Sequence, residues 1–113
     1  MSYKIDTTEH FDKEVKKLAK KYKSLKSDLT KLFEGLSDNP TQGTSLGNNI
    51  YKIRVAISSI GKGKRSGARV ISLVKIEKET VYLVSIYVKS KKNNITDQEI
   101  NNIIDSTFRK STS

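Results

Sequence analysis

Residues 51–74, YKIRVAISSIGKGKRSGARVISLV, alternate like a β-strand, break into a glycine-spaced basic loop and then resume as a strand. Because successive side chains of a strand point to opposite faces, Ile53 and Val55 are predicted on one face of a sheet. Lys52 and Arg54 then share the other face. The pattern predicts a sheet with cations grouped on one side, and it indicates a phosphate-rich partner.

The basic charge of the chain is concentrated in the same half of the sequence. The 113 residues carry a formal net charge of +10, and residues 50–92 hold eleven Lys or Arg against two Glu. Residues 9–34 hold eight basic and five acidic residues, a balance that is ordinary for a solvated helical surface. Such concentrated charge is typical of a nucleic-acid or ribosomal interface, with a membrane surface or an acidic protein as alternatives.

The composition predicts a single domain spanning residues 1–113, with residues 110–113 as a frayed tail. No run of 18 apolar residues and no charged leader followed by an apolar segment is present, so we expect a cytoplasmic protein with no membrane partner. The absence of cysteine removes disulfides, thiolate nucleophiles and cysteine zinc sites. We therefore expect no metal and no small-molecule cofactor.

Hydrophobic periodicity predicts an N-terminal helical hairpin. After a short strand at Tyr3–Asp6, Thr7 or Thr8 offers an N-cap hydroxyl for a first helix. The apolar stripe of this helix, interpreted as core, consists of Phe11, Val15, Leu18 and Tyr22. A second helix begins near Ser24 and ends before Asn39-Pro40. Its stripe consists of Leu25, Leu29, Leu32, Phe33 and Leu36.

The remainder of the chain is predicted as a loop, three strands and a third helix. Thr41–Asn49 is rich in Gly, Thr, Ser and Asn and is predicted as the loop. The predicted strands are Ile50–Ile57, Ala68–Glu77 and Val81–Lys89. Thr96 and Glu99 have the spacing of a capping box, so the third helix begins there. The expected fold is α+β, with a helical hairpin packed on a small twisted, mainly antiparallel sheet in the order β-α-α-β-β-β-α.

Several enzyme classes lack their residue patterns in this chain. The acidic residues are scattered singly, with no H-x-H, D-x-D or H-E-x-x-H pattern for a metal hydrolase. No G-x-S-x-G is present, and His10 is expected to be an exposed residue in the first turn of a helix. The loop at residues 61–67 lacks the P-loop spacing and leads into a strand. Phosphate binding or phosphodiester chemistry by cations therefore remains.

Four cations are candidates for one phosphate site: Lys52, Arg54, Arg69 and Lys89. RNA supplies its own nucleophile, the 2′-OH, so an enzyme need only align it, remove its proton and stabilise negative charge. Whether the four side chains converge depends on strand register, which the sequence does not determine. Each cation alone also fits a solvated charge on a strand face.

The chain resembles the RelE/ParE superfamily of bacterial toxins, in particular its HigB-like, RelE-type ribosome-dependent mRNA interferases. The resemblance covers most of the chain and rests on the helical hairpin, the YKIRVA strand, the GKGKRSGAR loop and strand, and the VYLVSIYVKS strand. It implies a RelE-like fold and a toxin of a type II toxin–antitoxin system. The implied activity is metal-independent cleavage of translated mRNA on the ribosome.

The resemblance also implies roles for individual residues. The paired strand cations of the family fall on Lys52 and Arg54, its central-strand arginine on Arg69 and its late basic residue on Lys89. These would bind and polarise the scissile phosphate of mRNA in the ribosomal A site. Family members place a tyrosine shortly after the last strand, but Lys91–Ile95 contains none.

The proton-transfer group therefore has two candidates. Tyr87 lies on the last predicted strand, where it could replace the missing tyrosine or simply pack in the sheet. Alternatively, Lys52 could accept the proton, since cationic neighbours favour the neutral form of a lysine.

The resemblance implies a cognate antitoxin that blocks the basic surface or displaces an element needed by the active site. Contacts to ribosomal RNA or mRNA are expected from the exposed cations Lys62, Lys64, Arg65, Lys91 and Lys92. Two other functions remain open: a ParE-like inhibitor of DNA gyrase, and a non-catalytic RNA-binding relic. The superfamily shares one fold, so fold cannot separate these three readings.

Overall fold

A computed structural model describes residues 2–61, 63, 66–89 and 94–109 of the chain. Its strands and helices, in chain order, are β1 (Lys4–Thr7), α1 (Glu9–Lys21), α2 (Leu25–Asp38), β2 (Thr44–Gly47), β3 (Ile50–Val55), β4 (Ala68–Lys75), β5 (Thr80–Val88) and α3 (Asp97–Arg109). Within these described ranges, no helix has the length and apolar character needed to cross a bilayer. The predicted elements are all present, and one further strand, β2, is added.

The strands form one mixed sheet in the order β1-β5-β4-β3-β2. β1 pairs with β5 in parallel, whereas the other neighbouring strands are antiparallel. A single-turn 3₁₀ helix at Ile76–Lys78 and a left-handed Glu79 (φ 47°) make the tight connection between β4 and β5. The expected mainly antiparallel sheet is therefore confirmed.

Helices cover both faces of the sheet. α1 and α2 pack on one face, where their predicted stripes meet the strand residues of matching parity, including Ile53 and Val55. α3 packs on the opposite face against a second cluster: Ile50, Ile71, Leu73, Val84, Tyr87, Ile95 and Ile100. Lys52 and Arg54 have the parity of Ile50, so the predicted cations lie on the same face of the sheet as α3, where Arg54 stays exposed.

Two hydroxyl caps fix where the helices begin. Thr8 Oγ1 accepts a hydrogen bond from Phe11 N at 3.1 Å and donates to Leu83 O at 3.1 Å, which joins the start of α1 to β5. Thr96 Oγ1 accepts from Glu99 N, and the Glu99 carboxylate accepts from Thr96 N, as a capping box requires. Both sequence predictions of helix starts are confirmed.

The prediction of an unbroken loop at Thr41–Asn49 is wrong. β2 forms within it and pairs with β3, with Thr44 opposite Lys52. Every residue of β2 is exposed, so the strand has no alternation of apolar and polar residues that a sequence pattern could reveal. Asn48 and Asn49 both adopt positive φ, 54° and 62°, which is the geometry of a tight hairpin turn and was its available sequence signal.

The predicted strand ends were slightly too long. The strands stop before Ala56, Ile76 and Lys89, because short 3₁₀ turns or the following loop begin there. The predicted frayed tail at residues 110–113 lies outside the described residues.

Candidate active site

Strand register places three candidate residues in one row. Arg54 of β3 lies directly opposite Arg69 of β4, and Arg69 lies directly opposite Tyr87 of β5. Cross-strand partners project from the same face of a sheet, so the three side chains leave the α3 face side by side. Like charges that face each other destabilise a sheet. An arginine pair at this position is a local conflict of the kind that functional sites retain.

The members of this row differ in exposure. Arg69 is 4% exposed and Tyr87 is 7% exposed, whereas Arg54 is open to solvent. Arg69 Nη1 donates a hydrogen bond to Ala68 O at 3.2 Å. Taking a guanidinium out of water is costly. The row therefore offers one accessible cation beside a second that is held within the protein.

Lys52 and Tyr87 converge on a single acceptor. Lys52 Nζ lies 3.4 Å from Asn94 Oδ1, and the Tyr87 hydroxyl lies 3.5 Å from the same atom. Both hydrogen bonds are longer than the usual range of about 2.7–3.2 Å and are therefore weak. Asn94 precedes α3 by a short segment, so the docking of α3 brings its amide oxygen to the site.

Lys89 follows the last residue of β5. Its backbone N–H donates to Gly67 O at 3.1 Å, and its side chain is exposed. It therefore lies one residue beyond the strand that carries Tyr87, rather than closing that strand as predicted. The predicted RNA-contact residues Lys62, Lys64, Arg65, Lys91 and Lys92 lie outside the described residues. In the described ranges, no group of three or more His, Asp or Glu residues could hold a metal ion.

Asp28 of α2 anchors the chain that leads from β3 into the basic loop. Its carboxylate accepts hydrogen bonds from Ser58 N at 2.9 Å, from Ser58 Oγ at 2.6 Å and from Ser24 Oγ at 2.8 Å. Burial acts to raise the pKa of Asp28, but the hydrogen bonds from both serines and the nearby charge of Lys31 outweigh it and lower the pKa. The entry to the loop is thus fixed to the helical hairpin.

A family model described as the RelE toxin of the RelE/RelB toxin–antitoxin system matches residues 3–110. The chain belongs to the RelE toxin family. Membership places it among the toxins of type II toxin–antitoxin systems, which confirms the resemblance to RelE-type toxins; the HigB-like subtype stays a prediction. No curated protein sequence matches the chain significantly.

Solved structures of E. coli RelE share the fold. An arginine-substituted double mutant in the free state is 24% identical, with a TM-score of 0.60 over 82% of this chain and 90% of that chain. The isolated toxin is 21% identical, with a TM-score of 0.51 over 93% of this chain and 99% of that chain. The same kind of mutant with an antitoxin RelBc peptide is 23% identical, with a TM-score of 0.50 over 90% of this chain and 93% of that chain. These similarities confirm the α+β fold.

Within the RelE fold of this chain, sequence reasoning missed Asn94. Its only sequence signal is a polar side chain two residues before the Thr96 cap, which many surface loops also have. The residue gains its place from the docking of Ile95 and Ile100 into the cluster under α3. Contacts of this kind depend on tertiary packing and have no pattern along the chain.

Proposed function

We propose that this RelE-family chain is a ribosome-dependent endoribonuclease toxin that cleaves translated mRNA without a metal ion. The observation that carries the proposal is the row of Arg54, Arg69 and Tyr87 on one face of the sheet. Two guanidinium groups side by side lose their mutual repulsion when an anion lies between them. A phosphodiester of RNA is an anion of suitable shape, since one guanidinium group can donate two parallel hydrogen bonds to phosphate oxygens.

The proposed roles follow from position. Arg54 and Arg69 bind the non-bridging oxygens of the scissile phosphate and stabilise the charge that develops on the phosphorane. Tyr87, beside Arg69, is the candidate for proton transfer at the attacking 2′-OH. A phosphate oxygen that displaced Asn94 Oδ1 would take the hydrogen bonds of Lys52 and Tyr87. Lys89 remains a candidate for stabilising the negative charge on the leaving oxygen.

The proposed partners are mRNA, the ribosome and a cognate antitoxin. The family is named for a toxin and its antitoxin, and a chain with a net charge of +10 suits an acidic or extended inhibitor. Ribosomal RNA contacts are assigned to the basic loop, because phosphate contacts position a protein on RNA without demanding rigid geometry. The proposed site of action is the cytoplasm, where ribosomes translate.

The test is 5′-end mapping of cellular transcripts after brief induction of the chain, beside an Arg69→Ala variant. We expect cuts within translated frames that disappear in the variant. Circular dichroism and thermal unfolding of the purified variant establish that it is folded. A folded Arg69→Ala protein that still cuts mRNA would overturn the assignment of Arg69.

Intact transcripts with arrested growth and DNA damage signalling would instead indicate a gyrase inhibitor. Unimpaired growth with soluble protein would indicate a non-catalytic relic.

A further inference from the structure

A groove follows the edge of β3 where β2 stops covering it. The described pairing of the two strands ends at Thr44 and Lys52, and Gly43 then turns the chain with a φ of +104°. A Cβ at Gly43 would lie 2.6 Å from Lys52 O, so only glycine allows this close approach. The turn leaves Gln42 beside the uncovered part of β3.

Two neighbouring cavities make up this groove. The first, about 700 Å³, is lined by Lys52 and Arg54 together with Gln42 and Thr44. The second, about 300 Å³, is lined by Arg54 and Gln42 and extends to Lys31 of α2. Since Arg54 and Gln42 line both, the two cavities are neighbours, and we call them together the β3 groove.

The charges along the β3 groove are predominantly positive. Lys52, Arg54 and Lys31 follow one another along it, and Lys31 is exposed. Asp28 also lines the second cavity, but its carboxylate already accepts hydrogen bonds from Ser58 and Ser24. A positive groove with amide and hydroxyl groups between its cations suits a single-stranded nucleic acid backbone.

We propose that the β3 groove binds the single-stranded RNA adjoining the scissile phosphate, with Lys31 on a backbone phosphate and Gln42 on a base or ribose. This deepens the proposed function and rests on it for RNA as the ligand. RNA is favoured over a protein segment because the groove starts at the candidate phosphate site. Strand addition by a peptide needs a longer free edge than residues 53–55 of β3 provide.

The test measures binding of a fluorescein-labelled decaribonucleotide with 2′-O-methyl riboses, which cannot be cleaved by 2′-OH attack. Fluorescence anisotropy is recorded between roughly 50 and 200 mM salt, a range over which the loss of phosphate contacts changes the binding constant measurably. We expect Lys31→Ala to weaken binding about three- to tenfold and to reduce the salt slope by about 0.7, the value for one lost contact to a single strand. Gln42→Ala should weaken binding and leave the slope unchanged.

Lys26→Ala is the matched control, since Lys26 is exposed on the same helix and does not line the groove. If Lys31→Ala binds RNA with the affinity and slope of Lys26→Ala, the groove assignment is overturned. If Lys31→Ala loses binding to a poly-glutamate peptide while its binding to RNA is unchanged, the assignment is also overturned, in favour of a protein ligand. Cleavage by the unmodified chain is measured separately on translating ribosomes, so a failure of the proposed nuclease is distinguishable from a failure of the groove.

Discussion

Asn94 lies against Lys52, with Oδ1 of the amide 3.4 Å from Nζ of the ammonium group. The two residues are 42 positions apart, and the contact connects the segment before α3 to the cationic face of the sheet. The acceptor is neutral and the hydrogen bond is long, so an anionic ligand can replace it at small cost. Asn94 thus marks a position that favours a negatively charged oxygen.

We expect Asn94→Asp to weaken RNA binding about tenfold or more, whereas Asn94→Ala changes it less than about threefold. A carboxylate at this position would form an ion pair with Lys52 and repel phosphate. The Coulomb energy of two unit charges 4 Å apart is about 1–4 kcal/mol. Binding of the uncleavable oligonucleotide measures both effects. Gln98→Glu is the control, because it makes the same change of net charge at an exposed residue of α3. Equal losses in Asn94→Asp and Gln98→Glu would show that only net charge matters.

Arg69→Met tests whether the arginine pair serves stability or function. We expect mRNA cleavage to fall at least about a hundredfold, while the free energy of unfolding stays within about 1 kcal/mol of the unmodified chain. The change removes the repulsion between Arg69 and Arg54, which offsets the loss of the hydrogen bond from Arg69 Nη1 to Ala68 O. Urea unfolding and cleavage on translating ribosomes measure the two quantities. A stability loss above about 2 kcal/mol would assign Arg69 a structural role.

Much of the fold could be predicted because the patterns were local. The α1 stripe from Phe11 to Tyr22 and the capping box at Thr96 depend only on spacing within one helix. β2 escaped prediction because all of its residues face solvent, so its pairing with β3 has no apolar periodicity. Hairpin geometry at Asn48 and Asn49 was the one local signal that it left.

The candidate site was only partly predictable for a different reason. Alternation correctly grouped Lys52 with Arg54, since that depends on the parity of one strand. The alignment of Arg54 with Arg69, and of Arg69 with Tyr87, depends on register between strands, which a one-residue slip would change completely. The approach of Asn94 depends on tertiary packing of α3 and has no counterpart in a sequence pattern.

Asp28→Asn should lower the free energy of unfolding by about 1–3 kcal/mol at neutral pH, because an amide cannot accept every hydrogen bond that the carboxylate takes from Ser58 and Ser24. The pKa of Asp28 is lowered in the folded chain from its ordinary value of 3.8, so the carboxylate stabilises the fold above that value. This contribution is lost as the pH falls through the folded pKa.

The stability difference between the unmodified chain and Asp28→Asn should therefore be constant near neutral pH and shrink only below about pH 4. Urea unfolding from pH 7 to pH 3 measures it. Ser24→Ala serves as a graded control. It removes one hydrogen-bond donor and should lower the free energy of unfolding less than Asp28→Asn does. A difference that stays constant down to pH 3 would contradict the role of the charged carboxylate.

Glu14 of α1 supports the strand that carries Tyr87. Its Oε1 accepts hydrogen bonds from Ser85 Oγ at 2.9 Å and from Ile86 N at 3.0 Å, and lies 3.2 Å from His10 Nε2. The pairing of β4 with β5 shifts register between Ile71 and Ser72, opposite this stretch of β5, and the pairing of β1 with β5 ends at Leu83. The side chain of Glu14 thus takes over from β1 as a partner for the outer edge of β5.

We expect Glu14→Ala to lower the free energy of unfolding by about 1–3 kcal/mol, because Ile86 N–H and the Ser85 hydroxyl lose their acceptor. Glu14→Gln keeps an acceptor oxygen and should cost less than half as much. Amide hydrogen exchange localises the effect: protection of Ile86 should fall in Glu14→Ala and persist in Glu14→Gln. Unchanged protection in Glu14→Ala would show that α1 covers this edge without help from the carboxylate. Because Tyr87 follows Ile86 directly, the same loosening should reduce mRNA cleavage more than it reduces RNA binding, which links the support of β5 to the proposed chemistry.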